Sequence, residues 1–230
     1  MYMVEIRFDN VTYPWWQQVD VRASVDDVAA TVGLAVTRSG TGGRLGVSEN
    51  TVIQVMVDGM LAATVRPDVI RRRVDAQSHS ISIDARSLGR ELIDTQYSQT
   101  LSGLKLGEIV ERLGKTFGVP VVVAADTKPV KDFAMQAESP ATALINAARV
   151  ANLLLYATPD GGIKLAEPDK AAPVAELRYG LNIAGYEVVD EYRLRFSEYL
   201  VKGYDHVGNK ALRGAVKDDE INYFRPLHII

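Results

Sequence analysis

The sequence predicts an α+β protein with three parts: a β-rich domain over residues 1–100, a small α+β domain over residues 101–170 and the start of a second β domain over residues 171–230. Three observations support this division. Alternating apolar and polar residues in the first part are typical of half-buried strands. Apolar residues recur at helical spacing after residue 101, and a stretch rich in proline and charge over residues 167–173 separates this part from further strand patterns.

Four segments of the first domain have the period-two pattern of strands: residues 2–8, 52–57, 62–66 and 80–85. Asp58-Gly59 lies between the second and third of these segments. Asp-Gly favours a type I′ turn, because both central residues of that turn need positive φ. The sequence therefore predicts a hairpin at this point.

Residues 24–32 interrupt the strand pattern of the first domain. Ser24, with Asp27 three residues later, resembles a capping box in which Asp replaces Glu. The apolar residues Val25, Val28, Ala29 and Val32 then follow a helical stripe. We therefore expect a short helix here.

The second domain has the clearest helical pattern in the chain. Five apolar residues at helical spacing precede Gly118, which is a natural helix C-cap: Leu106, Ile109, Val110, Leu113 and Phe117. Strands are predicted over residues 119–124 and 132–136. Ser139 is expected to cap a second helix with Pro140 at its first position, and a hairpin is expected over residues 153–167.

The third part has strand patterns over residues 181–189 and 199–204 and an apolar run over residues 225–230. We expect the last four residues, Leu227 to Ile230, either to pair as a strand in an assembly or to mark a shortened chain. Without a covering neighbour they would form an unpaired apolar edge, which favours aggregation.

Composition excludes several classes of protein. The 230 residues are 47% hydrophobic, with a formal net charge of −3 and no cysteine, so disulfides and thiolate metal sites are excluded. This charge gives no general attraction to nucleic acid or to an anionic membrane. The N-terminus lacks a secretory signal pattern, and no apolar run is long enough to span a bilayer, so we expect a soluble protein with no membrane partner.

The motifs of common active sites are weak or missing. The glycine-rich residues 40–46 lack a Gly-Lys-Ser/Thr ending and precede a strand, which favours a flexible connection over a phosphate site. His79, His206 and His228 are far apart and show no zinc-binding spacing. No Gly-x-Ser-x-Gly elbow occurs, and the carboxylates form adjacent runs typical of a solvated face. The expectation is a protein that is not an enzyme, with no cofactor and no metal.

Two features are candidates for contacts between subunits. Trp15 and Trp16 are adjacent in a predicted strand, so one can enter the core while the other either faces a partner or simply lies at the rim of that core. Arg71 and Arg73 share one face of another predicted strand, with Arg72 on the opposite face. These arginines fit either a contact with carboxylates of another subunit or a strand face protected from edge pairing.

The order of segments resembles that of the Mu-like tail protein P and late control protein D group of phage baseplate hubs. The resemblance covers nearly the whole chain. It rests on the Asp58-Gly59 hairpin and on residues 80–87, 106–119, 136–140, 179–183 (Tyr-Gly-Leu-Asn-Ile), 195–199 (Arg-Phe-Ser-Glu-Tyr) and 201–203 (Val-Lys-Gly).

This resemblance implies tube-like barrel domains, a partial second barrel at the end of the chain, and a structural role in a contractile phage or prophage tail. Family members are expected to form homotrimers that join the hexameric tail tube to the trimeric central spike. The implied location is the virion baseplate, with assembly in the bacterial cytoplasm. Family hubs usually extend further than residue 230, so the second barrel is expected to be incomplete.

Two other functions remain open from the sequence. Type VI secretion spikes resemble the same hub architecture, although they are expected to continue into a repetitive β-helix that this chain does not show. A tail-associated peptidoglycan hydrolase would need a pair of carboxylates in a cleft, for which no motif argues.

Overall fold

The computed structural model describes residues 3–37, 46–74, 79–171, 173, 175–205 and 208–229. The chain divides into two compact units, Met1–Lys170 and Ala171–Ile230. Across the described ranges, no helix has the length and apolar character needed to cross a membrane.

The first unit begins with a seven-stranded antiparallel sheet that has a half-barrel form. Its strands are β1 (Val4–Phe8), β2 (Val11–Thr12), β3 (Trp16–Arg22), β4 (Thr31–Val36), β5 (Ile53–Val57), β6 (Met60–Val74) and β7 (His79–Arg86). They follow the order β2-β1-β5-β6-β7-β4-β3, so β2 and β3 are the edge strands. The β-rich character predicted from period-two patterns is confirmed.

The sheet curves around a core made by alternate residues of its strands. In β4, Val32, Leu34 and Val36 are buried while the residues between them are more exposed. Ile53 and Ile83 from β5 and β7 pack into the same cluster. One face of the sheet therefore holds the core and the other face is left for solvent or partners.

The hairpin predicted at Asp58-Gly59 is confirmed. β5 and β6 pair across it, and Asp58 has φ 51° while Gly59 has φ 78°. Both values lie in the left-handed region that a type I′ turn requires.

The helix predicted over residues 24–32 is wrong. Ser24 accepts a hydrogen bond from the Asp26 amide (3.1 Å), as at a helix start, but the chain then turns away and enters β4. The Ala30 amide donates to Ser87 Oγ (3.0 Å), and its carbonyl accepts from the Ser87 amide (2.9 Å). Because distant residues satisfy these groups, helical hydrogen bonds do not form here.

The rest of the first unit is a mixed α+β arrangement. It contains α1 (Arg90–Asp94), β8 (Tyr97–Lys105), α2 (Leu106–Phe117), β9 (Val121–Ala124), β10 (Pro129–Glu138), α3 (Pro140–Val150), β11 (Leu154–Ala157) and β12 (Ile163–Ala166). β8 pairs with β10, while β12 lies between β11 and β9 and pairs parallel with β9. Sequence patterns predicted both long helices and the β11–β12 hairpin but not β8.

A second core lies under α2 and α3. The apolar stripe of α2 is buried at Ile109, Val110 and Leu113, and Leu144 of α3 packs into the same cluster. Gly118 ends α2 with φ 68°, which confirms the predicted cap. Ser139 is the N-cap residue of α3 with Pro140 following it, as predicted, but its side chain makes no capping hydrogen bond. Its hydroxyl donates instead to the Leu92 carbonyl oxygen (2.9 Å), tying α3 to α1.

The second unit is built on a three-stranded sheet. β13 (Glu198–Asp205) lies between β14 (Lys210–Lys217) and β15 (Pro226–Ile229), and a single 3-10 turn covers Tyr192–Leu194. The predicted strand over residues 199–204 is confirmed. The strand predicted over residues 181–189 is wrong. Residues 181–184 form a turn, a bend and an isolated bridge between Tyr179 and Ile183, and residues 185–189 are irregular.

The apolar run near residue 230 also differs from the expectation of an unpaired edge. Leu227 pairs with Tyr199 and Ile229 pairs with Val201 in a parallel ladder. β15 is therefore an edge strand with one side satisfied by β13. Ile230 itself lies outside the described residues.

Candidate assembly interface

The two tryptophans at the start of β3 face different environments. Trp16 is half-buried and packs against the core of the sheet. The Trp15 side chain is 49% exposed, while its carbonyl oxygen accepts from the Thr37 amide (2.8 Å). The structure thus fixes the Trp15 backbone and leaves its ring on the surface, where aromatic residues are favoured contacts for a partner.

Arg71 and Arg73 lie on the outer side of the β6–β7 hairpin. They pair in register with Ser82 and Ser80, and Arg71 forms an ion pair with Asp84. Arg73 is exposed, and among the described residues it has no ion-pair partner. The expectation that the two side chains share one face is consistent with this register.

The tryptophans and arginines lie at one end of the sheet but do not touch. Trp16 pairs with Val36, Val36 with Ile81, and Ile81 with Arg72, so these four residues form one row across the sheet. Three strand spacings separate the ends of the row, or roughly 14 Å. A partner that contacts both features must therefore cover β4 and β7 at this end.

An ion-pair network joins the sheet to α1, and sequence patterns did not indicate it. Arg86 Nη1 contacts Asp94 Oδ1 (3.1 Å), and Arg86 also pairs with Asp68. Arg90, 13% exposed, reaches Asp68 Oδ1 (2.8 Å) and the Pro67 carbonyl oxygen (3.0 Å). The Arg86 guanidinium lowers the pKa of the Asp94 carboxyl group by hydrogen bonding. These contacts hold the two cores of the first unit together.

A groove of about 1010 Å³ lies beside β10 and α3. Its floor includes Phe133 and Leu153, and its rim carries the carboxylates of Asp126, Asp132 and Glu138. Lys105 Nζ lies 3.0 Å from Asp126 and lowers the pKa of that carboxyl group. A general acid needs a raised pKa, so this carboxylate has the opposite tuning from a glycosidase acid.

No metal centre occurs within the described residues, where no group of three or more metal-binding side chains comes together. His228 is exposed on β15, and His79 begins β7. His206 lies outside the described residues, as do residues 40–45 of the glycine-rich segment.

The second unit has an unusual surface. Not one of its described residues is buried, and every residue of β14 is exposed. Large apolar side chains on this surface include Val201, Leu212, Val216 and Phe224. Exposed apolar residues at this density are typical of a surface that a partner covers.

Two family models match consecutive parts of the chain. The family described as Mu phage baseplate assembly protein GpP-like, N-terminal, matches residues 3–87. The family described as baseplate hub protein gp44-like, second domain, matches residues 91–167. The boundary between them falls at the Arg86–Arg90 network, where the two cores meet.

Relatives extend this similarity over the whole chain. The baseplate hub protein gp44 of Escherichia phage Mu is 26% identical over 246 residues, which cover 99% of this chain and 65% of that relative. The structure of the 43 kDa tail protein of prophage MuSo2 from Shewanella oneidensis has a TM-score of 0.83 at 20% identity, covering 100% of this chain and 72% of that one. A tail protein from Neisseria meningitidis MC58 gives 0.78 at 21% identity, covering 99% and 71%.

Proposed function

We propose, because this chain belongs to the phage baseplate hub family, that it is a structural subunit of a phage tail baseplate. The observation that carries the proposal is the order of the two family matches along residues 3–167, in a fold shared with two prophage or bacterial tail proteins. The resemblance read from the sequence is thereby confirmed, and the chain spans 65% of the relative from phage Mu.

The finer proposal is that three copies form a ring. This ring of three copies joins a tail tube of sixfold symmetry to a central spike of threefold symmetry. The tube protein and the spike protein are then its partners. Two β-rich units in each chain support this, because three chains would then supply six sheet-bearing lobes. The exposed apolar side chains of the second unit supply surface for such contacts.

A non-enzymatic role is part of the proposal. The relatives are named as baseplate or tail proteins, and none of those names states a reaction. Within the described residues, every carboxyl group with a shifted pKa has it lowered by a neighbouring cation: Glu5, Asp94, Asp126 and Asp218. Such groups remain charged at neutral pH and cannot donate a proton to a leaving group. We expect the protein to act at the baseplate of the virion after assembly in the bacterial cytoplasm.

The proposal is tested by size-exclusion chromatography with light scattering over a range of concentrations, followed by electron microscopy. The monomer has a mass of 25.2 kDa, so a trimer appears at three times that mass and as a ring with a central hole. A strict monomer at all concentrations would contradict the trimeric adaptor.

The two other candidate functions have their own tests. Zymography on purified cell wall is expected to show no clearing, whereas lysis that a single carboxylate substitution abolishes would establish a hydrolase. Co-purification with the tube protein of a type VI system, and not with phage tail proteins, would favour a secretion spike.

A further inference from the structure

The seven-stranded sheet of the first unit ends in an open edge at β3. This strand pairs with β4 on one side only, over a regular register from Gln18 to Arg22. Most of its residues are exposed, and Val21 is 38% exposed. It contains no proline or lysine, and its charged residues are Asp20 and Arg22, which a partner strand of complementary charge can pair with.

The second unit offers a matching open edge at β14. Among the strands of the described residues β14 pairs with β13 alone, and all eight of its residues are in register without a bulge. One face of β14 carries Leu212 and Val216 together with Lys210 at its start, and the opposite face carries Arg213 and Lys217. A regular edge of this length with unused amides and carbonyls is able to extend another sheet.

The other long edges in the described chain are less suited to pairing. In β10 the register with β8 shifts between Met135 and Glu138, and Ala137 in that shift has φ 51°. β8 contains Gly103 with φ 70°. Bulges and left-handed residues twist an edge away from a flat ladder, so these two strands are poor templates. The register shift of β3 lies at its start, between Trp16 and Gln18, and leaves Gln18 to Arg22 regular.

We propose that β14 of one copy pairs antiparallel with β3 of a second copy and extends its sheet. The favoured register places Arg213 opposite Asp20 and Leu212 opposite Val21, with β14 spanning the whole of β3. A shift by one residue puts Arg213 beside Val21. A shift by two residues can put Arg213 opposite Arg22, which is a repulsive cross-strand pair.

Charge also selects this pairing over self-pairing. β14 carries Lys210, Arg213 and Lys217 and no acidic residue, so two β14 strands would repel each other. Both carboxylate oxygens of Asp20 already accept from Arg22, Oδ1 from Nε (3.0 Å) and Oδ2 from Nη2 (3.2 Å), but each oxygen has a second lone pair that can accept from another guanidinium.

The pairing joins different strands on the two copies and is therefore heterologous, which is the kind of contact that closes a threefold ring. It rests on the proposed trimer for its biological setting. β3 with β3, or β14 with β14, would give a twofold dimer instead.

The chain has no cysteine, so single cysteines report the contact without background. A tagged Val21→Cys chain is mixed with an untagged Leu212→Cys chain under mild oxidation. Cross-strand neighbours lie within the Cα separation that a disulfide spans, so a tagged–untagged disulfide dimer is the expected main product. As the matched control, Val150→Cys, at an exposed position on α3, replaces Val21→Cys and is expected to give only background.

A charge exchange provides a second measurement on the full chain. Asp20→Arg or Arg213→Asp alone is expected to weaken association roughly two- to fivefold, the range for one cross-strand charge pair, and the two substitutions together are expected to restore it.

Light scattering on the parent protein distinguishes failure of the strand pairing from failure of the proposed trimer. A trimer without the Val21–Leu212 disulfide, or with disulfides only between identical positions, overturns the strand pairing and leaves the adaptor intact. The disulfide in a protein that never forms a trimer supports the pairing and removes the adaptor.

Discussion

The junction between the two cores of the first unit depends on the absence of a side chain at Gly89. A Cβ atom at this position would lie 1.7 Å from the Val28 carbonyl oxygen and 2.7 Å from its carbonyl carbon. Ordinary contacts between heavy atoms are near 3.5 Å, and backbone atoms cannot rotate away as a flexible side chain can. Gly89→Ala must therefore displace the segment around Val28 or the start of α1.

The loss in the free energy of unfolding depends on the contacts that the segment around Val28 makes. The Val28 side chain is almost fully buried in the second core, and withdrawing a valine from a core costs about 1.5–3 kcal/mol. The same displacement breaks the bonds from the Ala157 amide to the Asp27 carbonyl and from the Ala30 amide to Ser87 Oγ, each worth about 1 kcal/mol. We expect a loss of roughly 3–5 kcal/mol in the free energy of unfolding.

Urea unfolding followed by far-ultraviolet circular dichroism measures this loss. For a chain of this size the midpoint should fall by about 1–2 M. Gly33→Ala is the matched control, because its Cβ meets only Asp20 Cβ at 3.9 Å, an ordinary contact in a strand. If Gly89→Ala and Gly33→Ala unfold at the same urea concentration, the close approach of Val28 and Gly89 is not a constraint on the fold.

Three further predictions test other parts of the first unit. Asp94→Asn should lower stability at neutral pH by less than about 1 kcal/mol, because the Asp94 side chain in the pair with Arg86 is 55% exposed. The lowered pKa of Asp94 means that this contribution is present above the unfolded pKa near 4 and is lost as pH falls through the folded pKa, so thermal melts of the two proteins should converge in acid. Leu144→Ala should cost about 2–5 kcal/mol by leaving a cavity beneath α3, with the exposed Val150→Ala as a near-neutral control in the same urea assay. Gly118→Ala should cost about 1–2 kcal/mol, since alanine is strained at φ 68°, and a variant as stable as the parent would show that the cap relaxes.

The elements that sequence reasoning found share one property: their signal is contiguous. The Asp58-Gly59 turn needs only two residues of defined backbone preference between two strand patterns. The stripe of α2 repeats over a single run and ends at Gly118. Four of its five predicted apolar residues are buried, and the fifth, Phe117, is partly buried against the same core. Such elements were identified because no distant residue decides their conformation.

The error over residues 24–32 has a specific cause. Val28 belongs to the second core, whereas Val32 belongs to the core of the seven-stranded sheet, and Val25 belongs to neither because it is exposed. The helical stripe is thus a coincidence of residues that serve two cores as the chain passes from one to the other. The sequence of this one segment does not show which core each of its residues enters.

In the candidate interface, too, features set by neighbouring residues were predicted and features set by distant residues were missed. Opposite faces for Trp15 and Trp16 follow from strand geometry, and the structure agrees with that reasoning. The network of Asp68, Arg86 and Asp94 was missed because its members are far apart in sequence and each looks like an ordinary surface charge. The role of Trp15, Trp16, Arg71 and Arg73 as subunit contacts stays a prediction.

The second unit explains why the strand pattern over residues 181–189 was misleading. Alternation of apolar residues predicts a strand only when another layer buries one face, and no described residue of this unit is buried. Leu181, Val188 and Val189 are all more than two-thirds exposed, so nothing within the described unit fixes them in a ladder. A sheet of three strands that buries no described residue gains little hydrophobic stabilisation by itself, so its apolar residues stabilise the fold only when another surface covers them.

We therefore expect residues 181–189 to become ordered on contact with a partner, and hydrogen exchange tests this expectation. Amides of residues 181–189 should exchange rapidly in the monomer and become protected in the assembled ring, whereas strong protection in the monomer would contradict this explanation.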